Sequence, residues 1–189
     1  DSARSHQLAR AVAAGRYRKL ASRIYTDDLV TAPTELIRRH WREIAAHFHP
    51  GAVVSHRSAI ELAPSPAGKL HLTVAHAVGP VWVLPGLEVR LWRGPAPFWD
   101  DVPLDVPGGG SLFRSGEIRA VLENLQVSRA RVGDEPKILE RPELLKRLSA
   151  LTMDDVWVER MRALADEAGW RRERHVAEML GVAMILAAH

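Results

Sequence analysis

The chain has 189 residues, 47% of them apolar, a formal net charge of +3 and no cysteine. That length fits one medium domain or two small ones. The missing cysteines exclude a disulfide framework, a thiolate zinc site and a cysteine nucleophile, which suits a reducing cytoplasm. The longest apolar run, Met179 to Ala188, is too short to span a bilayer, and no secretory signal pattern precedes the first element, so no membrane partner is expected.

The charge is unevenly placed. Arg4, Arg10, Arg16, Arg18, Lys19 and Arg23 stand against the single acid Asp1 in residues 1–25, a local +5 that leaves the remaining chain at −2. Leu8, Ala11 and Val12 share one face at helical spacing, and Ser2 or Ser5 can cap the start of that helix. Gly15 is placed to end it, because a helix leaves most cheaply through a glycine at positive φ. Tyr17 to Leu20 and Arg23 to Thr26 are two short β-compatible runs joined at Ala21-Ser22. A basic helix followed by a basic hairpin is the second half of a winged helix-turn-helix. Arg4, Ser5, His6, Gln7 and Arg10 would then face a DNA major groove, and Arg16, Arg18, Lys19 and Arg23 would reach its phosphates. A complete winged domain has helices before its recognition helix, so an N-terminal piece is expected ahead of Asp1. The alternative is a solvated amphipathic helix.

Asp27 to Pro33 reads as a linker. Thr34 can cap a helix to about Phe48, in which Ile37, Trp41, Ile44 and Phe48 form a buried stripe. Ala52 to Val54 is a strand candidate, and Ser55 can start a short helix through Leu62 with Ile60 inward. From Lys69 the period changes to two: Leu70, Leu72 and Val74 alternate with His71 and Thr73, as in a strand with one buried face. Val81 to Leu84 and Leu87 to Trp92 are two more strands, on which Trp82 and Trp92 can meet across the pair. Residues 93–112 are rich in Pro and Gly and read as irregular. Ser115 can cap a helix carrying Ile118, Val121, Leu122 and Leu125. Pro142 to Leu151, Asp154 to Ala168 and Arg171 to Ala187 read as three more helices, Pro142 suiting a first helical position. The fold class is α+β: a partial winged helix-turn-helix over residues 1–28, then a small mixed sheet flanked by helices with a helical C-terminus over residues 34–189.

Other chemistry has weaker support. His40, Glu43 and His47 lie on one side of a helix at spacings able to hold a divalent ion, but not in the order of zinc hydrolases, and surface or capping histidines are the simpler reading. Glu88, Asp100 and Asp101 are the nearest approach to the clustered acids of a metal-dependent nuclease. Arg90 takes the place of the lysine there, and arginine cannot act as a base. Gly108-Gly109-Gly110 is followed by no lysine, so no P-loop is present. No catalytic residue, metal or cofactor is assigned, and an enzyme is not expected.

Gly15-Arg-Tyr-Arg-Lys-Leu-Ala-Ser-Arg-Ile-Tyr-Thr26 resembles the wing of AbiEi-type antitoxins, the transcriptional regulators of abortive-infection toxin–antitoxin systems, with Ser22-Arg23 where a turn glycine is common. Ala52-Val-Val-Ser-His-Arg-Ser-Ala-Ile60 is similar to the strand-then-helix segment of that family's second domain, and Ser115 to Leu125 to its later helix. Met179 to Leu186 resembles the junction that precedes Fic-family domains, yet His49-Pro50 runs into Gly51-Ala52 and no Fic loop follows, so Fic chemistry is not expected. The resemblance implies double-stranded DNA as a partner, repression of the protein's own promoter, and antitoxin action against a nucleotidyltransferase-like toxin. It leaves open a protein-interaction module that docks a toxin or a fused catalytic domain, and a homodimer through the apolar end Ala177 to Ala187.

Overall fold

The computed structural model describes residues 2–76, 79, 81–126, 136–151 and 154–187, with the side chains of 2–5 and 180–187 outside the description. Among these residues are eight helices and eight strands, in a mixed α+β arrangement. Helix α1 (Ser2–Ala13) ends at Gly15, whose φ of +68° lets the Gly15 N–H reach the Val12 carbonyl and the Arg16 N–H reach that of Ala11. Ser5 lies inside this helix and so does not cap it. Strands β1 (Arg18–Ala21) and β2 (Ile24–Thr26) form an antiparallel hairpin with a bulge between Lys19 and Ala21. Its turn is Ser22-Arg23, one residue later than the sequence pattern places it.

The stretch expected as one helix to Phe48 is two, α2 (Pro33–Arg39) and α3 (Trp41–Phe48). They share His40, which leaves helical geometry at φ −100° and ψ 25° but still donates to the Leu36 carbonyl and accepts from Ile44. The apolar stripe survives the break: Ile37, Trp41 and Ile44 are buried and Phe48 is half-buried. Thr34 caps nothing. Ala32 takes the N-cap position without a side-chain bond, and Pro33 occupies the first turn, where its missing amide is harmless.

Six strands form one mixed sheet. They are β3 (Ala52–Val54), β4 (Lys69–Val74), β5 (Trp82–Leu84), β6 (Leu87–Arg93), β7 (Val102–Pro103) and β8 (Leu112–Arg114), in the order β5-β6-β4-β3-β8-β7. β4 runs antiparallel to β3 and parallel to β6, and β3 runs parallel to β8. Two strands, β7 and β8, lie in or at the end of the segment expected to be irregular. Leu70, Leu72 and Val74 of β4 pack with Ala52, Val54, Val89 and Leu112 against Ile37, Trp41 and Ile44. β4 departs from the expected half-solvated strand: all six of its residues are buried. Helix α4 (His56–Glu61) covers the second face, so Lys69, His71 and Thr73 are enclosed too.

A second apolar core lies among α5 (Glu117–Asn124), α6 (Arg141–Ser149), α7 (Asp155–Ala168) and α8 (Arg171–Ala187), with Leu122, Leu148, Met161 and Leu164 at its centre. Each such side chain stabilises the fold by about 1.5–3 kcal/mol. Asp154 caps α7 by accepting from the Trp157 amide at 2.8 Å, and Gly169 ends it at φ +73°. Ser115 is not a cap: Gly116 precedes α5, and the Ser115 hydroxyl turns inward to Glu123. Among the described residues no helix is long and apolar enough to cross a membrane.

Two glycines differ in what they tolerate. A β-carbon on Gly68 (φ +81°) would stand 2.5 Å from the Gly86 carbonyl oxygen, whereas one on Gly51 (φ +77°) meets nothing within 4 Å. Gly51→Ala therefore costs only the left-handed backbone, about 1 kcal/mol. Gly68→Ala also forces two turns apart, roughly 3 kcal/mol in all. Urea unfolding of the two variants should show this order; equal losses would mean that the two turns yield freely.

Candidate nucleic-acid interface

Helix α1 turns Ala11 inward, half-buries Leu8 and Val12, and leaves His6, Gln7 and Arg10 exposed. The three polar side chains lie at i, i+1 and i+4, on one side of the helix. Arg4 and Ser5 are on the same helix, with side chains outside the described residues. Arg16 follows the Gly15 stop and is exposed, as is Lys19 on β1. The side chains of His6, Gln7, Arg10, Arg16 and Lys19 make no hydrogen bond or ion pair among the described residues. The exposed set therefore carries Arg10, Arg16 and Lys19 as uncompensated charges.

Arg18 and Arg23 belong to a different set. The Arg18 Nε donates to the Asp28 carbonyl at 2.8 Å, and its Nη2 donates to the Thr31 carbonyl. Those carbonyls belong to a turn organised by Asp28. Its Oδ1 accepts from the Val30 and Thr31 amides at 2.9 and 2.8 Å, and its own amide donates to Thr26 Oγ1. The Thr31 amide, then the Thr31 hydroxyl and the Val30 amide, hold the Asp28 carboxyl down at about 2. Arg23 sits at φ +64° with its guanidinium 5.2 Å from the centre of the Phe48 ring. Leu20, Ala21 and Ile24 pack against the core beneath the sheet. The hairpin is thus docked on the body through its apolar residues, with Arg18 bonded to the turn after β2 and Arg23 lying over the Phe48 ring.

The alternative clusters of the sequence do not assemble. His40 Nδ1 pairs with Glu43 Oε1 at 2.9 Å near the surface, while His47 stands edge-on to Phe48 at 4.9 Å. Glu88 is bonded to Arg90 on its own strand. Asp100 and Asp101 turn instead to α5, where Asp101 Oδ2 lies 2.6 Å from Arg119 Nη1 and Asp100 Oδ2 accepts from the Arg119 amide at 3.3 Å. Among the described residues no group of three His, Asp or Glu is placed to hold a metal. Trp82 and Trp92 do not face each other: Trp82 is opposite Val89 and tilts on Phe48 at 4.4 Å, and Trp92 lies beside Thr73.

A buried polar layer, missed by the sequence reading, separates the sheet from α4 and α5. Trp92 Nε1 donates to His71 Nδ1 at 3.0 Å, which leaves the His71 proton on Nε2, buried and without a partner among the described residues. The His71 amide donates to Ser58 Oγ. His56, at φ +55°, donates its amide to Glu123 Oε2 at 2.9 Å, and Ser55 Oγ lies 2.9 Å from its Nδ1. Lys137 Nζ lies 4.6 Å from the centre of the Trp92 ring and donates to Gln126. Burial, reinforced by Lys137, holds His56 well below the ordinary histidine range. Burial, reinforced by His56 and Arg90, pushes His71 down to about 3. No periodicity points to this layer, because its members come from five separate segments.

Both imidazoles are neutral in the fold, so the unfolded chain takes up protons near pH 6.5 that the folded chain refuses. Stability is full above pH 6.5 and falls as the pH drops toward 3, with His71 alone costing about 1.4 kcal/mol per pH unit in that window. His49, lowered by burial, adds to the loss. Asp101, raised by burial to about 6, and Asp100, raised by burial as well, act in the opposite direction once the pH is below about 6. The urea midpoint should therefore be lower at pH 5.5 than at pH 7.5, and His71→Gln should flatten the difference. A midpoint independent of pH over that range would refute the neutral pair.

Comparison with family models, with curated proteins and with solved structures finds no match to this chain.

Proposed function

We propose that the chain is a sequence-specific DNA-binding transcriptional regulator, with α1 as its recognition helix and the β1–β2 hairpin as its wing. The observation that carries the reading is the exposed, uncompensated set His6, Gln7, Arg10, Arg16 and Lys19 on one helix and the hairpin that follows it. His6, Gln7 and Arg10 offer donors and acceptors of the kind that read base edges. Arg16 and Lys19 offer charge to phosphates, which fixes position more than sequence. Arg18 acts behind them, bonded to the turn that follows the hairpin, and Arg23 lies over the Phe48 ring. In this reading the sheet and the helices beyond it carry the DNA-binding unit. The resemblance of the hairpin segment to AbiEi-type antitoxins extends the proposal to an autoregulating antitoxin with double-stranded DNA as its first partner.

Binding to a random-duplex library, followed by gel shift on the selected sites, tests this. Affinity should fall steeply with salt, and Arg16→Ala and Lys19→Ala should each reduce the log–log salt slope by about one while weakening all sequences alike. Gln7→Ala and Arg10→Ala should change which bases are selected. Arg18→Ala should lower the melting temperature and leave the salt slope nearly unchanged. A gel shift indifferent to the Arg16/Lys19 double substitution would remove the hairpin from the interface, and no retained duplex at low salt would end the proposal.

A further inference from the structure

The β1–β2 hairpin has an inner face, a tip and an outward face, and the first two are occupied. On the inner face Arg18 is bonded to the turn after β2, and Leu20, Ala21 and Ile24 pack against the core. At the tip Arg23 lies over the Phe48 ring of the body. The outward face is left. Lys19 and Tyr25 stand opposite each other in the register, so their side chains share it. Tyr17, two residues before Lys19, continues it, because side chains along a strand alternate with a period of two. Tyr17 and Tyr25 are the chain's two tyrosines. Tyr17 is 39% exposed and Tyr25 is half-buried, and neither hydroxyl has a hydrogen bond among the described residues. Asp27, exposed just beyond β2, forms no ion pair with Arg16 or Lys19, which outnumber it. A tyrosine left at the surface suits an interface with an apolar side for the ring and a polar acceptor for the hydroxyl.

We propose that the hairpin lies broadside on the sugar–phosphate backbone of duplex DNA, with Lys19 on a phosphate and the Tyr17 and Tyr25 hydroxyls donating to phosphate oxygens beside it. The proposal rests on the DNA-binding reading and adds to it two binding residues and the face used. In that reading α1 fills the major groove, so the ribbon is left the backbone next to it. Entry by the tip would first have to pull Arg23 off Phe48 and Leu20 and Ile24 off the core. The bases of a duplex are stacked on one another, so the tyrosine rings find no open base there, and their hydroxyls find phosphates, which tyrosine commonly contacts.

Gel shift of the whole chain on a duplex taken from the library selection is the test. Tyr17→Phe and Tyr25→Phe should each weaken binding by about three- to tenfold at fixed salt, the net contribution of one hydrogen bond. The log–log salt slope should not change, because no cation is removed. Neither should the melting temperature, since each hydroxyl is unbonded in the fold. Arg23→Gln should also leave the salt slope as it is, whereas a wing held in DNA by its tip would lose about one. If both Tyr→Phe variants bind like the wild type, or if Arg23→Gln lowers the slope, the broadside contact is wrong while duplex binding stands. It is equally wrong if a single strand of the same sequence competes as well as the duplex, the mark of rings stacking on unpaired bases. If the wild-type chain retains no duplex at low salt, the DNA-binding reading and this contact fall together.

Discussion

One buried guanidinium joins the two cores of this molecule. Arg119 is 1% exposed; its Nε donates to Glu123 at 2.8 Å, its Nη1 to Asp101 at 2.6 Å and its Nη2 to the Pro95 carbonyl at 2.8 Å. The second oxygen of Glu123 accepts from the Ser115 hydroxyl and the His56 amide. Through α5, the chain leaving β3, the chain leaving β8 and the loop after β6 are thus tied to one point. Taking three ions out of water is costly, and an apolar replacement of similar shape can be as stable. Removing one member is different, because it leaves the others charged, buried and unpaired, at about 3–5 kcal/mol. Asp101 shows both sides of this balance. Burial raises its carboxyl to about 6 against the pull of Arg119, yet at neutral pH it is still charged and the pair is intact. What this arrangement secures is relative position: a shift of the helical core on the sheet would part Arg119 and Glu123 from partners on three other segments.

That seam explains which parts of the fold were legible in the sequence. Ile37, Trp41 and Ile44 announced a buried helical face because burial on one side imposes a period, and the period outlived the break at His40. The same reasoning misjudged β4. Lys69, His71 and Thr73 alternate with apolar residues just as a solvated face would, and nothing local reveals that α4 folds over them. Their partners, Ser58 for the His71 amide and Trp92 for its ring, are 13 and 21 residues away. Asp100 and Asp101 read as an acidic loop for the same reason, since Arg119 lies 18 residues beyond Asp101. Thr34 and Ser115 have the right chemistry for caps but were used otherwise: Ala32 and Pro33 start α2, and Ser115 is drawn to Glu123. Propensity yields wherever a buried charge needs the donor.

The candidate interface divides in the same way. The gathering of positive charge in residues 1–25 was plain from composition, because charge is a property of residue type. Which of those charges remain available was not, because Arg18 is taken up by two main-chain carbonyls, and carbonyls are common to every residue. The outcome is a hairpin with a rigid foundation and a small exposed set.

Magnitudes decide what holds the hairpin there. Placing Arg23 at φ +64° costs about 1–2 kcal/mol for a residue with a β-carbon. Its position over the Phe48 ring returns only about 0.5–1 kcal/mol at a partly exposed site. The cation–π contact therefore cannot be what anchors the turn. Leu20 and Ile24, packed against the core beneath the sheet, each contribute up to about 1.5–3 kcal/mol, which exceeds the deficit. Apolar burial sets the position of the hairpin, the tight Ser22-Arg23 turn follows from it, and the arginine stacks on the ring it finds there. On this account a glycine at position 23 would leave the hairpin where it is, whereas a polar residue at position 24 would release it.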